Sequence, residues 1–303
     1  MDAAIIGAGA MGSLFGYHLA AGGCKVTLID PWAEHIQEVN ERGLTIYIDD
    51  KPLEPAFPRG LVSPGSEPVY DLVIFFVKSY HTARAAAGAR HLVGPDTVVL
   101  TLQNGLGNVD IIKEILGDKN VLAGTTAHGA TVLGPGKIRH AGKGETVIGT
   151  PGGDSGQSAA SIAQVFNDCG LKTRVSPDID SVIWGKLLIN AAINPLTALL
   201  KVPNGELYRR EHARQLVELL VSEGVQVAAG NRITLPYPDP LDKVKSVSEL
   251  TAQNRSSMLQ DMDNRRPTEI DFINGAICRE GEKVGIPVPC NTVITLLIKA
   301  LEG

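Results

Sequence analysis

The chain has 303 residues, with 33 acidic and 28 basic side chains and a formal net charge of −5. That length suggests about two domains of roughly 150 residues each, both large enough to bury a core. The acidic balance lacks the basic footprint of a nucleic-acid binder, so no nucleic-acid partner is expected.

Residues 3–6 form a short apolar run ending at Gly7, the pattern of a buried strand. Helical character over residues 12–21 ends at Gly22-Gly23. Residues 25–30 read as a second strand, after which Pro31 opens a helix to about Arg42. Residues 72–77, 98–102 and 121–123 supply three further apolar strands. Strands alternating with helical stretches mean βαβ units and a parallel sheet. Gly134-Pro135-Gly136 separates two strand-like runs and suggests a hairpin. Short strands at 146–148 and 172–175 flank a helix over 157–167.

Beyond Ser176-Pro177 the texture changes. Helical spacing fills 182–200, 206–229, 240–250, 268–284 and 291–301, which predicts an all-α second domain. Glycine follows the same division: 21 of the 33 lie in residues 1–150, and only 8 in residues 178–303. The four cysteines (Cys24, Cys169, Cys278, Cys290) are widely spaced with no CxxC pair. That argues against a disulfide framework or a zinc site and suits a reduced, cytoplasmic protein. No basic segment precedes the first apolar run, so no signal peptide is expected. No uncharged apolar stretch reaches the roughly 18 residues that a membrane span needs, so no membrane partner is expected either.

Gly7-Ala8-Gly9-Ala10-Met11-Gly12 is a GxGxxG between a strand and a helix, the context that a dinucleotide fingerprint requires. Gly7 permits the tight turn, Gly9 lets a pyrophosphate approach the backbone, and Gly12 lets helix and strand pack closely. The helix N-terminus then faces the anion. A plain strand–turn–helix without ligand is the bland alternative. Asp30 lies 18 residues after Gly12, about the spacing at which an acid bonds the adenosine ribose 2′-hydroxyl of NAD. It reads equally well as the N-cap of the helix opening at Pro31.

Lys186, Asn190 and Asn194 are four residues apart and share one helix face amid Trp184, Leu187, Leu188, Ile193 and Leu196. Buried polar groups demand partners. A solvated stripe, or asparagines satisfied by a neighbouring helix, is the ordinary reading. A functional row is the sharper one, since a partly buried lysine has a lowered pKa and can serve as general acid near neutral pH. Ser257-x-x-Gln260 has the form of a capping box, so Ser257 reads as a helix start. Glu269 sits where an acid complements a helix dipole. His18, His35, His91 and His212 look like surface or helix residues, while His128 ends a strand segment. No His/Cys/carboxylate grouping has metal spacing, so no metal is expected.

Longer motifs give the sequence a family likeness. GAGAMG at the N-terminus, Val77-Lys78-Ser79, Leu102-Gln103-Asn104-Gly105 and Gly124-Thr-Thr-Ala-His128 come first. Trp184-Gly-Lys186-Leu-Leu-Ile-Asn190-Ala-Ala-Ile-Asn194-Pro195-Leu-Thr197, Pro203-Asn204-Gly-Glu-Leu207, Ser256-Ser257-Met-Leu-Gln-Asp261 and Thr268-Glu269-Ile-Asp271 follow. Over nearly its whole length the chain resembles the ketopantoate reductase (2-dehydropantoate 2-reductase) family. The resemblance implies an α/β Rossmann-type dinucleotide-binding domain (residues 1–176), then an all-α C-terminal domain (177–303), with the active site in the cleft between them.

It also implies roles. Gly7, Ala8, Gly9, Ala10, Met11 and Gly12 would hold the cofactor pyrophosphate, with Lys78, Asn104 and Ala130 near its nicotinamide end. Lys186 would protonate the ketone oxygen as hydride arrives, and stabilise the developing alkoxide. Asn190, Asn194 and Asn204 would bind substrate oxygens, Ser257 the carboxylate end, and Glu269 the substrate hydroxyl and the cofactor side. Typical members use NADPH and carry an arginine just after the second strand. Here Leu28-Ile29-Asp30-Pro31-Trp32 has none, and Asp30 suits NADH. The leading expectation is reduction of ketopantoate to pantoate, in pantothenate and coenzyme A biosynthesis. Reduction of another branched 2-oxo acid is the alternative, and a nicotinamide-sensing binding protein the remote one. An apolar face on the second domain suits a homodimer.

Overall fold

The computed structural model describes residues 1–153 and 156–302; Asp154, Ser155 and Gly303, included in the expected domain ranges, lie outside the described residues. The chain divides into two compact units. One comprises residues 1–103 and 108–179, the other residues 104–107 and 180–303. The division thus falls three residues after the expected 176/177 boundary. Ile179 is fully buried, and its Cβ lies only 2.9 Å from where a Cβ on Gly149 would sit, which ties it to the first unit. Residues 104–107 go with the second unit because Leu106 N–H donates to the Phe272 carbonyl at 2.8 Å.

The first unit begins with β1 (Asp2–Ile6), α1 (Ala10–Ala21), β2 (Lys25–Ile29), α2 (Ala33–Arg42), β3 (Thr45–Ile48), β4 (Lys51–Pro52) and β5 (Arg59–Leu61). It continues with β6 (Leu72–Phe75), α3 (Thr82–Ala89), β7 (Val98–Thr101), α4 (Asn108–Leu116), β8 (Val121–Thr126), β9 (Gly129–Gly134), β10 (Lys137–Gly142), β11 (Thr146–Gly149), α5 (Gln157–Asp168) and β12 (Thr173–Val175). Eight strands form one sheet in the order β12-β11-β8-β7-β6-β1-β2-β5. The sheet is mixed rather than wholly parallel, because β11 runs antiparallel to β8. Its inner strands are buried on both faces: Ala3 and Ile5 of β1 join one core, and Ala4 and Ile6 the other. That two-sided burial is why these strands are continuously apolar instead of alternating.

A second sheet runs β4-β3-β10-β9, with β9 and β10 making the hairpin around Gly136. Strands β3, β4 and β5 escape a reading by apolar runs. They are short, and their partners lie far away in sequence, β3 pairing with β10 and β5 with β2.

The second unit holds α6 (Ile179–Leu200), α7 (Glu206–Arg209), α8 (Glu211–Gly230), α9 (Pro240–Leu250), α10 (Ser257–Asp263), α11 (Asn274–Val284) and α12 (Pro289–Glu302). Its strands are absent among the described residues, as an all-α unit requires. The continuous helix expected over 268–284 is broken. A 3-10 turn at Ile270–Phe272 is followed by Ile273 at φ −106°, ψ −91°, outside the helical region, before α11 starts. Helix α6 is long and apolar enough to cross a membrane, but 67% of its most apolar window is buried within the protein. It feeds two cores, Trp184, Leu187, Leu188 and Ala191 into one and Ala192, Ile193 and Leu196 into the other.

Helix α6 also carries Pro195 in its interior. Proline has no N–H, so the Ala191 carbonyl loses its helical donor. Asn274 Nδ2 replaces it, donating to Ala191 O at 3.0 Å. The same amide donates to Asn291 Oδ1 at 3.0 Å, and Asn291 Nδ2 donates to Glu223 Oε2 at 2.8 Å. Both asparagines are fully buried. This chain fixes the helix at the turn between Asn190 and Asn194.

Candidate active site

In the first unit the glycine-rich turn has the geometry its sequence demands. Gly7 lies at φ +100°, a region that side chains avoid, and a Cβ there would stand 2.6 Å from the Val77 nitrogen. A Cβ on Gly12 would collide with the Gly7 carbonyl oxygen. A Cβ on Gly9 would meet nothing within 4 Å, so the space beside it is open. Gly9 is also the N-cap of α1 and has no side chain to cover the first amides. The turn therefore fits a pyrophosphate: open backbone approach and a helix N-terminus with no acidic residue in its first turn.

Asp30 is partly buried, and both of its oxygens are engaged. Oδ2 accepts from Ala8 N–H at 2.7 Å and Oδ1 from Trp32 N–H at 2.9 Å. It is not the N-cap of α2: that helix begins at Ala33 with Trp32 as its cap, because Asp30 bends the chain through Pro31-Trp32 first. The carboxylate thus braces the glycine-rich turn from the end of β2.

A second brace was hidden in the sequence. His35 is a helix residue, one of the two positions expected, but it is fully buried rather than on the surface and stacks on Trp32 at 4.7 Å between ring centres. Its Nδ1 accepts from Gly136 N–H at 3.1 Å. Nε2 therefore carries the proton and donates to Ser13 Oγ at 3.1 Å, and Ser13 donates to the Ala8 carbonyl at 2.8 Å. Burial holds the imidazole below its usual pKa, against a smaller raising effect of Asp30.

Lys78 follows β6 at the entry to a 3-10 turn, Ser79–His81, and is partly buried. Gln103 Nε2 pins its neighbour by donating to the Val77 carbonyl at 2.8 Å, and Asn108 Nδ2 donates to Ser79 Oγ at 3.1 Å. Ala130 lies on β9 opposite His140 of β10.

In the second unit Lys186, Asn190 and Asn194 share a face of α6, with Asn194 buried and the other two partly so. Lys186 keeps some solvent contact. The dense protein around its ammonium still lowers its pKa to about 8, with the Glu269 carboxylate acting in the opposite sense. Glu269 is itself 6% exposed and precedes the 3-10 turn Ile270–Phe272. It does not complement the terminus of a long helix as the sequence allows; it is a buried carboxylate whose charge acts on the partly buried Lys186.

Other expected residues of the unit are tied by their own hydrogen bonds. Thr197 Oγ1, one turn below Asn194, donates to Ser256 Oγ at 2.7 Å. Asn204 N–H donates to the Asn254 carbonyl at 3.0 Å, and Asn204 Nδ2 to Thr251 Oγ1 at 2.9 Å. Thr251 gives its own proton to the Val247 carbonyl, so Asn204 must present its amide NH₂ there and its Oδ1 elsewhere. That Oδ1 is buried without a protein partner. The 104–107 segment joins the 269–272 turn through Leu106. One expectation is corrected: Ser256, not Ser257, caps α10, its Oγ accepting from Leu259 N–H at 3.1 Å. Ser257 is the first helical residue and is exposed. No grouping of three metal-ligating side chains occurs among the described residues.

A glycine-rich turn shaped for a dinucleotide and a helical unit with a pKa-tuned lysine define a dinucleotide-dependent oxidoreductase. Residues 3–153 match the family described as ketopantoate reductase PanE/ApbA, and residues 178–302 match its C-terminal part. The chain is 40% identical over 304 residues to the 2-dehydropantoate 2-reductase of Pyrococcus abyssi, spanning 99% of this chain and 98% of that one. Among solved structures it is similar to D-mandelate dehydrogenase in a ternary structure with NADH and anilino(oxo)acetate. There the TM-score is 0.93 at 36% identity, covering 100% of this chain and 98% of that one. A PanE/ApbA family ketopantoate reductase from Ralstonia eutropha JMP134 gives a TM-score of 0.92 at 33% identity, with the same coverage. The chain belongs to the ketopantoate reductase family.

Proposed function

We propose that this protein reduces the ketone of ketopantoate to the alcohol of pantoate with a reduced nicotinamide cofactor. The observation that carries the reading is Lys186, an ammonium tuned to about 8 on a rigid helix of a chain in this family. The bound cofactor supplies the hydride. Gly7, Gly9 and Gly12 take its pyrophosphate, with the first amides of α1 facing the charge. Lys186 stands ready with a proton for the ketone oxygen and, before transfer, stabilises the negative charge building there. Glu269 keeps that lysine protonated near neutral pH. Asn190, Asn194 and Asn204 bind substrate oxygens, the first two from the same helix side as Lys186. Lys78, Asn104 and Ala130 serve the nicotinamide end. A cytoplasmic location goes with this reading.

The coenzyme reading favours NADH. Asp30 would repel a 2′-phosphate, and the stretch Asp30-Pro31-Trp32 just after β2 has no arginine. The similarity to a dehydrogenase solved with NADH points the same way. That neighbour also supports a second substrate reading, a different 2-oxo acid, since pocket shape rather than the proton donor sets specificity. Oxidation of NADH and NADPH, followed by absorbance with ketopantoate and with phenylglyoxylate, separates these readings. We expect ketopantoate to give the higher kcat/KM, with NADH at least matching NADPH. Preference for phenylglyoxylate overturns the substrate, strong NADPH preference overturns the coenzyme, and no turnover with either acid favours a non-catalytic sensor.

A further inference from the structure

Trp32 stands beside the glycine-rich turn and has no role in the reading above. Its backbone and its ring are each tied to Ala8. Trp32 N–H donates to Asp30 Oδ1 at 2.9 Å, while Asp30 Oδ2 accepts from Ala8 N–H at 2.7 Å. The indole lies on the His35 ring, with 4.7 Å between ring centres and 18° between planes. His35 Nε2 in turn donates to Ser13 Oγ, which donates to the Ala8 carbonyl. Its Nδ1 accepts from Gly136 N–H, so both imidazole nitrogens are engaged and the ring cannot turn. The plane beneath the indole is therefore fixed.

His35 is fully buried, yet Trp32 keeps partial solvent contact. His35 covers one face of the indole, so the accessible part is its other face and its rim. A singly exposed apolar side chain needs no explanation by itself. This one is locked, by backbone and by ring, to the turn that fits a pyrophosphate, which leaves a flat apolar surface held in one orientation.

Topology sets what comes to that surface. β1 and β2 pair in parallel through Ile6 and Ile29, so the segments that follow them leave the sheet side by side. The glycine-rich turn follows β1, and Trp32 follows β2. In a dinucleotide the adenosine continues directly from the pyrophosphate, and its ribose meets the acid at the end of the second strand. Beyond the ribose comes adenine, a flat heteroaromatic ring of the kind that stacks on aromatic side chains. Trp32 is two residues beyond Asp30.

Resting on the nicotinamide-cofactor reading, we propose that Trp32 is the adenine platform of this protein, with the cofactor's adenine stacked on the indole face opposite His35. The rigid backing serves affinity, because an aromatic anchor already held in place loses little freedom on binding. A planar guanidinium can stack in its place, whereas an aliphatic side chain cannot.

The test is binding to the full chain, without turnover. NADH and ADP-ribose are titrated by calorimetry and by indole emission. Reduced nicotinamide mononucleotide, which lacks the adenylate half, is measured by its displacement of NADH. ADP-ribose should quench the emission saturably. The quench should vanish in Trp32→Leu, because Trp184, the other tryptophan, is buried in the core of the second unit. Trp32→Leu still covers His35 but offers no flat face. It should weaken NADH and ADP-ribose by about 5- to 150-fold, the range of a lost base stack, and leave the mononucleotide within roughly twofold. Trp32→Phe keeps a ring and should restore most of the affinity. Unchanged NADH and ADP-ribose binding in Trp32→Leu overturns the inference and leaves the cofactor reading standing. An equal loss for the mononucleotide also overturns it, since the turn rather than the adenine contact would then have been lost. Failure of the unaltered chain to bind NADH overturns both.

Discussion

Replacing Lys186 by methionine removes the ammonium and keeps the unbranched chain out to Cε. A group with a pKa of about 8 is roughly nine-tenths protonated at pH 7, and its charged fraction falls tenfold per unit above pH 8. A positioned general acid contributes about 10²–10⁴-fold, so kcat should fall by that factor while NADH affinity changes little. Stability should move the opposite way. The pKa drops from 10.5 unfolded to about 8 folded, so the unfolded chain binds the extra proton between those values and stability rises with pH across that window. At neutral pH the charged lysine therefore costs about 3 kcal/mol, less what its residual solvent contact recovers. Methionine removes that cost together with the attraction between Lys186 and Glu269, so the net gain is larger in Lys186→Met/Glu269→Gln. Glu269→Gln alone should shift the alkaline limb of the kcat/KM profile downward, because Glu269 raises the Lys186 pKa. The assays are kcat/KM from pH 6 to 10, NADH binding by fluorescence and Tm. A Lys186→Met enzyme within tenfold of the original kcat, or a profile flat through pH 8, would refute the assignment.

Three further outcomes follow from the same structure. Gly12→Ala forces a Cβ into the Gly7 carbonyl and should cost about 1–3 kcal/mol of stability together with most of the NADH affinity, read by Tm and fluorescence titration. Asn274→Ala orphans the Ala191 carbonyl and should cost about 1–3 kcal/mol, read by denaturant unfolding. Adding Pro195→Ala restores a helical N–H to that carbonyl and should recover part of the loss, whereas strictly additive losses would mean the two are uncoupled. His18, His35, His128 and His140 are all held below the ordinary histidine pKa, His128 at about 4. The unfolded chain then binds more protons below pH 6.5, so stability is full above that value and declines by up to about 1.4 kcal/mol per pH unit for each histidine as pH falls. Unfolding midpoints independent of pH between 5 and 7 would contradict this.

The parts that were legible in the sequence are those encoded locally. The strand–turn–helix around Gly7, Gly9 and Gly12 and the row Lys186, Asn190, Asn194 need only chain-local geometry, and α9 matches its expected bounds. What escaped depends on distant partners. His35 looks like any helix residue until Gly136, about a hundred positions on, donates to it. The serine that caps α10 is one residue earlier than the motif suggests, because Thr197 claims Ser256 from another helix. Asn274 has no local signal at all; its role exists because Pro195 sits elsewhere on the chain. Ser257 and Glu269 draw their expected roles from family likeness, since spacing alone makes them cap and dipole residues.

The two bonds made by Asp30 constrain anyone redesigning this protein for a different coenzyme. The usual exchange puts a basic residue where the acid stood, on the assumption that the acid only repels phosphate. Here the acid also holds the amides of Ala8 and Trp32. Asp30→Arg would therefore suit a 2′-phosphate and loosen the glycine-rich turn in the same stroke. A successful redesign would leave Asp30→Asn as an acceptor with a single oxygen and bring the positive charge from Trp32 or beyond, so that recognition changes while the scaffold of the turn does not.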